Sequence, residues 1–366
     1  MYEVNQKRLV KTFIDLVKIP SPSWKEHDMV SYIIKKVKKL NVNYKKYPCG
    51  DSYNLYLSLD GSKDTPPLLL SAHMDTVGTL DRVVPIITEK KISSDGTTIL
   101  GSDDKAAIAI FMEALHIIKE RKIEHGPIEI ILSCAEEVGL HGIKNFDTGL
   151  IRAKEAIVFD SSDRVGKIIL KAPYHSIMDI KIKGKSAHAG MEPEKGINAI
   201  KVLAEIISKL PSGRIDKNST MNVGFISGGR ATNIVPDEAE AKLEIRSFDK
   251  ERLNNHEKKV NDTIKKVASR YRAKSKINRE LEYTGFSINR KDKIVALTES
   301  AMKKINITPE FIISAGGSDA NILNRAGIKS LNISCGMRNV HTNKEYILIK
   351  DLVNGARLTL SIIDSV

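Results

Sequence analysis

The sequence has few cysteines, few aromatic residues and no long apolar stretch. Its three cysteines, Cys49, Cys134 and Cys335, are far apart and form no CxxC pair, which excludes a disulfide framework and favours a reducing, cytoplasmic location. No apolar run approaches the roughly 18 residues of a membrane span. Aromatic residues make up only 5% of the chain, which argues against a surface that stacks nucleic-acid bases.

The chain is long and apolar enough to bury a core. It has 366 residues, of which 41% are hydrophobic, and this excludes a mainly disordered protein and suggests two domains. The formal net charge of +13 raises nucleic acid or an anionic surface as a partner. Because the basic residues are spread along the whole chain without a recognisable nucleic-acid-binding motif, we expect neither a nucleic-acid nor a membrane partner.

Two kinds of hydrophobic pattern divide the sequence. In the first and last parts of the chain, compact apolar runs such as 66–72 and 128–134 are separated by helical patterns such as 105–119. Such runs are typical of strands that are buried on both faces of an α/β sheet. Residues 238–246 instead alternate strictly between apolar and charged side chains, which predicts a strand with one solvent-facing side.

The pattern of the middle of the chain predicts a separate domain. Its pattern has the order β-α-β-β-α-β, which is the split βαβ, or ferredoxin-like, layout. The sequence therefore predicts an α/β fold with a mostly parallel sheet formed by residues 1–173 and 287–366, interrupted by an inserted domain over 174–286.

Acidic and histidine residues come directly after the strands predicted for the α/β domain. They are His73, Asp75, Asp103, Asp104, Glu136, Glu137, Asp160 and His341. Ligands of open α/β sheets collect at the carboxyl ends of the strands, so we expect these side chains to share one crevice. Two imidazoles and several carboxylates suit one or two divalent ions, zinc in particular. Taken singly, an acid after a strand is more often a helix N-cap than a metal ligand, and His73 could be a core residue and His341 a loop residue.

The adjacent Glu136 and Glu137 are the strongest single signal. They follow a predicted apolar strand, where two carboxylates repel each other unless a cation or a proton lies between them. The alternative is that their charge stabilises the N-terminus of a following helix.

In the order of its motifs, the sequence resembles the M20 di-zinc metallopeptidases, and within them the peptidase T-like branch. The motifs are HMD from residue 73, GSDDKAA from 101, AEEVGLHG from 135, VFD from 158, GKSAHAGMEPEKGINAI from 184, GGRATNIVPDEAEAKLEIRSF from 228, GGSDANIL from 316 and GMRNVHTNKEYI from 336. The resemblance covers nearly the whole chain. It implies a catalytic α/β domain interrupted by a smaller lid or dimerisation domain, in agreement with the division above.

The resemblance also implies a ligand set for two divalent ions. Asp103 matches the carboxylate that bridges both ions, with His73 and Asp160 at one ion and Glu137 and His341 at the other. We expect the ions to be Zn²⁺, with Co²⁺ or Mn²⁺ as alternatives. The family pattern further implies a cis peptide bond after Asp103.

Two further residues receive roles from the same motifs. Asp75 matches the carboxylate that orients a metal-bound imidazole, and Glu136 matches the general base. The implied reaction is hydrolysis of an amide bond by a water held between the ions. Glu136 takes the proton of this water and passes it to the leaving amine. A metal-stabilised scaffold without turnover would give Glu136 no purpose.

In the inserted domain, His188 in SAHAG resembles the family histidine that reaches the active site of the neighbouring subunit and supports the oxyanion. This match implies a homodimer through the inserted domain. Without the resemblance, His188 would be interpreted as an exposed turn residue beside a glycine.

Arg246 and Asn233 resemble the family positions that bind the terminal carboxylate of the substrate, a task that suits the bidentate guanidinium group. The backbone N–H groups of Gly316, Gly317 and Ser318 follow a strand and could meet an anionic substrate group. The ordinary alternatives are a solvent-facing arginine and a simple turn.

The details of the motifs favour a small-peptide aminopeptidase acting on di- and tripeptides. Asp160 stands where carboxypeptidase members usually carry Glu, and aminopeptidase members carry Asp. However, only 30 positions separate His73 from Asp103, without the longer insertion of the true tripeptidases, so we expect the region that recognises a free N-terminus to differ. A carboxypeptidase or an N-acyl-amino-acid amidohydrolase is the alternative within the family.

Overall fold

The computed structural model describes residues 2–78 and 81–366. The helices are α1 (Gln6–Val17), α2 (His27–Lys39), α3 (Ser102–Arg121), α4 (His141–Lys144), α5 (Ala199–Lys209), α6 (Lys250–Arg270), α7 (Lys293–Lys304), α8 (Asp319–Arg325) and α9 (Ile349–Asp364). The strands are β1 (Asn43–Cys49), β2 (Ser52–Leu59), β3 (Leu68–His73), β4 (Pro85–Ile87), β5 (Lys91–Ser94), β6 (Ile128–Ser133), β7 (Glu155–Ser161), β8 (Lys167–Ala172), β9 (Tyr174–Lys183), β10 (Gly213–Asp216), β11 (Ser219–Gly228), β12 (Glu238–Ser247), β13 (Lys274–Tyr283), β14 (Phe286–Ser287), β15 (Glu310–Ile313), β16 (Lys329–Ser334), β17 (Met337–Arg338) and β18 (Tyr346–Leu348).

The chain divides into two compact units. The first unit consists of Met1–Leu170, Ser287–Ile313 and Ser318–Val366, and the second of Lys171–Phe286 and Ser314–Gly317. The short piece Ser314–Gly317 therefore groups with the inserted part of the chain, although it lies far from it in sequence.

A mixed sheet forms the core of the first unit, with strand order β1-β2-β6-β3-β7-β16-β8-β14 and β15 beside β8. The four central strands, β6, β3, β7 and β16, are parallel, whereas β1, β2 and β8 are antiparallel to their neighbours. All residues of β3 and β6 are buried, as expected of strands that are covered on both faces. This confirms the predicted α/β fold, with its parallel strands confined to the centre of the sheet.

Helix α3 lies in the interior of the first unit, which explains its composition. It packs against α1, α9 and β3, and its residues from Ser102 to Leu115 are all buried. A helix that is apolar on every side needs such a position, because it has no face to give to solvent. The prediction of a buried helix over 105–119 is confirmed, and the observed helix starts three residues earlier.

A small second sheet in the first unit has no counterpart among the predicted elements. Its strand order is β17-β18-β5-β4, and it joins chain segments about 250 positions apart. The turn between β17 and β18 carries His341.

The second unit is an antiparallel sheet of strand order β10-β11-β12-β9-β13 packed against α5 and α6. Strand β12 alternates as predicted, with Ala239, Ala241, Leu243 and Ile245 buried. The short strand β10 at one edge of this sheet was not predicted. Within the part of the chain that the structure describes, no helix combines the length and hydropathy needed to cross a membrane.

Candidate metal centre and substrate-binding residues

The predicted ligands of the first unit meet at one end of the parallel strands. His73 is the last residue of β3, Glu136 and Glu137 follow β6, and Asp160 lies near the end of β7. Asp103 joins them from the first turn of α3. This arrangement follows from the topology, since parallel neighbours end at the same edge of a sheet.

One group of ligand atoms consists of His73, Asp103 and Asp160. The His73 Nε2 atom lies 3.1 Å from Asp103 Oδ1 and 3.9 Å from Asp160 Oδ1. Asp160 is fixed by Asn332, whose side chain accepts from its N–H at 3.1 Å and donates to its carbonyl at 2.9 Å.

A second group consists of Asp103, Glu137 and His341. The His341 Nε2 atom lies 3.2 Å from Asp103 Oδ2 and 2.9 Å from Glu137 Oε1. The two oxygens of the Asp103 carboxylate thus contact different imidazoles, Oδ1 toward His73 and Oδ2 toward His341. A carboxylate in this arrangement can serve two ions at once.

The spacing of these atoms suits divalent metal ions. In each group, one donor atom from every residue lies within 4.8 Å of the others. Ligands about 2.0–2.1 Å from a tetrahedral zinc ion lie about 3.3 Å from one another, which is close to the separations around Asp103. The donors are imidazole nitrogens and carboxylate oxygens, the set that zinc binds.

The pKa shifts of the clustered side chains also favour a bound cation. Burial and the charge of Asp160 raise the pKa of Glu136 well above its usual range, and burial and the charge of Asp103 do the same for Asp160. The hydrogen bonds to Asp103 and Glu137 raise the pKa of His341 to about 10. Buried carboxylates crowded together in this way are stabilised by a positive charge among them.

Asp75 holds the loop that carries the two glutamates. Its Oδ1 accepts the N–H of Glu136 at 2.9 Å, and its Oδ2 accepts the N–H of Glu137 at 3.1 Å and the hydroxyl of Ser23 at 2.7 Å. The His73 Nδ1 atom lies 2.9 Å from the backbone carbonyl of Asp75 and 3.4 Å from its Oδ1. A hydrogen bond to that carbonyl leaves Nε2 of His73 available as a ligand.

Asp104 lies next to the cluster and contacts the backbone of a proposed ligand rather than the ligand atoms. The Asp103–Asp104 peptide bond is cis, as the resemblance implies. Asp104 is buried, and its carboxylate accepts the N–H of His73 at 3.3 Å. Asp104 belongs to neither group around Asp103.

Sequence reasoning missed several residues that hold the ligands in place. Ser23 and Asn332 gave no signal, because their partners lie 52 and 172 positions away. Glu345 belongs to the same motif as His341, four positions further along the chain, but the motif alone does not assign it a role. Its carboxylate accepts hydrogen bonds from the turn that leads to Asp103.

In the second unit, the structure brings His188 and Asn233 together. The N–H of Ala189 donates to the Asn233 carbonyl at 2.9 Å, and His188 pairs with Ile234 in an isolated bridge. The His188 ring is exposed, and its Nδ1 accepts the N–H groups of Gly190 and Met191. Because Nδ1 acts as an acceptor, the neutral ring carries its hydrogen on Nε2.

Arg246 lies beside the loop that contains Gly316 and Gly317. Its guanidinium donates to the Ala315 carbonyl and to Glu244 Oε2, each at 3.2 Å. Gly317 is required by packing, since a Cβ there would lie 2.3 Å from the Tyr283 ring.

Two backbone N–H groups of the predicted anion-binding loop already donate hydrogen bonds within the protein. The N–H of Gly316 donates to Ser314 Oγ, and the N–H of Ser318 donates to Asn321 Oδ1, both at 3.0 Å. Ser318 belongs to the first unit and precedes α8, whereas Gly316 and Gly317 belong to the second unit. A role of this loop in substrate binding stays a prediction.

Comparison with known proteins connects this geometry to a family. Residues 176–272 match the peptidase dimerisation domain, and residues 54–171 match peptidase family M28. A tripeptidase from Staphylococcus aureus is 36% identical, with a TM-score of 0.93, over 99% of this chain and 98% of that one. The chain belongs to the peptidase T-like branch of the M20 family.

Two further relatives of this M20 peptidase match it along its whole length. The aminopeptidase PepT of Bacillus cereus is 36% identical, with a TM-score of 0.90, over 99% of both chains. The uncharacterized protein YqjE of Bacillus subtilis is 38% identical in an alignment that covers 99% of both chains. The family predicted from the sequence motifs is therefore confirmed.

Proposed function

We propose that this M20 peptidase is a metal-dependent aminopeptidase that hydrolyses the amide bond of small peptides. The observation that carries the proposal is the position of Asp103, whose two oxygens contact His73 and His341 in separate ligand groups. The similarity to an aminopeptidase and to a tripeptidase over the full length of the chain supports this activity.

We assign His73, Asp103 and Asp160 to one ion, and Asp103, Glu137 and His341 to the other. We expect Zn²⁺, with Co²⁺ or Mn²⁺ as alternatives, because imidazole and carboxylate donors suit all three. Two such ions supply Lewis acidity, which makes water a better nucleophile at neutral pH and polarises a carbonyl oxygen.

Glu136 is proposed as the general base that takes a proton from water and delivers it to the leaving amine. Its backbone is held by the hydrogen bond from its N–H to Asp75, which fixes the residue next to the ligand Glu137. Burial and the charge of Asp160 raise the pKa of Glu136, and a carboxylate with a raised pKa is a stronger base toward water than an ordinary glutamate.

Arg246 and Asn233 are proposed to bind the C-terminal carboxylate of the peptide. Arg246 is oriented by Glu244 and by the Ala315 carbonyl, so its guanidinium group is held rather than free to move. A carboxypeptidase or N-acyl-amino-acid amidohydrolase remains the alternative, because both substrate classes also end in a carboxylate.

Mass-spectrometric analysis of products from a peptide library tests the function. The library contains di- and tripeptides with free, N-acetylated and C-amidated ends. We expect release of the N-terminal residue from free peptides and loss of cleavage on N-acetylation, because an aminopeptidase must bind the free amine. Cleavage of N-acetylated substrates, or initial release of the C-terminal residue and the N-terminal dipeptide from tripeptides, would instead establish the alternative.

In the same assay, Arg246→Ala should remove the preference for a free C-terminus over an amide. A charge-assisted hydrogen bond contributes about 1.5–3 kcal/mol, or roughly 10- to 150-fold in kcat/KM. Lys242 lies on the same face of β12 and pairs with Asp179, so Lys242→Ala is the matched control. Equal losses on free and amidated peptides would exclude Arg246 from carboxylate binding.

We also propose a homodimer formed through the second unit, in which His188 acts at the active site of the partner subunit. The match of residues 176–272 to a peptidase dimerisation domain supports the dimer. The hydrogen on Nε2 of His188 supports the role, because an oxyanion needs a hydrogen-bond donor.

The three cysteines are free and buried, which is compatible with the reducing, cytoplasmic location that we propose.

Two inactive variants, His188→Ala and Glu136→Ala, should regain activity when they are dissociated, mixed and reassociated. Random pairing makes half of the dimers mixed, each with one complete site, so about a quarter of the original activity returns. If both single variants are inactive and the mixture recovers nothing, His188 acts within its own subunit. If His188→Ala alone is active, His188 is only a turn residue.

A further inference from the structure

Glu345 is a buried carboxylate that sequence reasoning overlooked. It is only 1% exposed and precedes β18 in the turn that also carries His341. Its backbone N–H donates to the Thr342 carbonyl at 3.0 Å, so the carboxylate and His341 belong to one compact turn.

The Glu345 carboxylate binds the start of α3. Its Oε2 accepts the N–H groups of Leu100 and Gly101 at 2.9 and 2.8 Å. Its Oε1 accepts the N–H groups of Ser102 and Asp103 at 2.7 and 3.2 Å, and the Ser102 hydroxyl at 2.5 Å. One side chain thus satisfies four consecutive backbone N–H groups.

This contact replaces a cap that α3 cannot provide for itself. The first N–H groups of a helix have no partner within the helix, and a side-chain oxygen of the N-cap residue usually accepts one of them. The N-cap of α3 is Gly101, which has no side chain, and its φ of 71° is one that glycine adopts readily. Glu345 supplies the missing acceptor from a turn 244 positions away.

The position of Asp103 depends on this cap. Asp103 has non-helical backbone angles, φ −81° and ψ 105°, although it lies in the first turn of α3. Its N–H is one of the groups that Glu345 binds, and its carboxylate contacts both imidazoles. Glu345 therefore connects the backbone of the shared ligand Asp103 to the turn that presents His341.

We propose that Glu345 is a positioning residue that fixes Asp103 relative to His341 and thereby sets the affinity for the ion held by Asp103, Glu137 and His341. The proposal rests on the proposed function, because it takes these three residues as ligands. Residues that orient metal ligands typically change metal affinity by about 10- to 100-fold when they are replaced. In Glu345→Gln, an NH₂ group replaces one acceptor oxygen and faces backbone N–H groups.

Glu129 offers a matched control in the same unit. It is also buried, and it accepts the N–H groups of Arg152 and Ala153 as well as the Arg152 guanidinium. It lies near the start of β6, at the end of the strand opposite to Glu136. Glu129→Gln removes a comparable buried acceptor without touching the ligand turns.

The test is a Zn²⁺ titration of the apoproteins against a chromophoric chelator, with the free energy of unfolding of each apoprotein measured alongside. We expect two ions in the wild-type protein and in Glu129→Gln. Glu345→Gln should bind one of the two ions about 10- to 100-fold more weakly. Ser102→Ala removes only one of the five hydrogen bonds and should act in the same direction by a smaller factor, and it carries the test if Glu345→Gln does not fold.

The outcomes separate this inference from the proposed function. If the wild-type protein binds two ions and the Glu345 and Ser102 variants bind them as tightly as Glu129→Gln does, Glu345 only stabilises the fold and the inference is overturned. If the wild-type protein itself fails to bind two ions, the proposed function is wrong and the inference falls with it.

Discussion

Replacing Glu136 by Gln should lower kcat/KM by roughly 10²- to 10⁴-fold while the protein keeps two metal ions. Glutamine has nearly the same shape but cannot accept and return a proton, so the variant removes the general base and little else. The hydrogen bond to Asp75 Oδ1 uses only the backbone N–H of Glu136 and is retained. Steady-state kinetics on a tripeptide, together with metal analysis of the same sample, measure both expected effects.

Glu137→Gln is the matched comparison, because it makes the same chemical change one position along the chain. Glu137 Oε1 contacts His341 Nε2 at 2.9 Å, and we assign it as a ligand. Its replacement should therefore weaken metal binding, and activity should be partly restored at high metal concentration. Glu136→Gln should show no such restoration.

The pair of variants also distinguishes a general base at Glu136 from a metal ligand. His73, Glu136 and Glu137 form a third group whose donor atoms lie within 4.8 Å of one another, so Glu136 could itself be a ligand. A loss of metal from both variants to the same degree would show that Glu136 binds an ion and that the assignment within the pair is wrong.

The elements that were predicted from the sequence are those with a local signal. The strict alternation in 238–246 gave β12 nearly to the residue, and the apolar run 128–134 gave β6. The sheet of β17, β18, β5 and β4 was missed because its strands have two to four residues, too few to show a period. Its stability comes from pairing between distant segments, which leaves no local pattern.

The residues of the candidate site likewise fall into those with a local sequence signal and those without one. The proposed ligands could be found because they follow apolar strands or belong to a family motif. Residues that hold those ligands by hydrogen bonds, such as Asn332 at Asp160, could not be found, because their partners are adjacent only in the folded chain. The turn before the apolar run of α3 is similar, since the backbone N–H groups of Ser102 and Asp103 donate to Glu345, which lies in a distant turn.

Removal of the metal ions should abolish turnover and also lower the stability of the first unit. The ions are proposed to supply several kcal/mol of transition-state stabilisation, so chelation should reduce kcat/KM by roughly 10²-fold or more. The stability effect has a separate cause. Burial and neighbouring carboxylates raise the pKa of Glu136 and of Asp160, so their charged forms are unfavourable in the folded chain until cations bind.

The stability effect can be measured without an activity assay. An ion at about 100 times its Kd stabilises the folded state by about 2.7 kcal/mol per site, so Zn²⁺ should raise the unfolding midpoint of the apoprotein in a concentration-dependent manner. Glu137→Gln is the matched control, because it weakens one site and should gain less from the same Zn²⁺ concentration. Restoration of activity and midpoint by Zn²⁺ after chelation would show that the chelator acts only by removing metal. Full turnover in the chelator, or a midpoint that does not respond to Zn²⁺, Co²⁺ or Mn²⁺, would mean that the cluster holds protons instead of metal ions, and the metal-dependent mechanism would have to be abandoned.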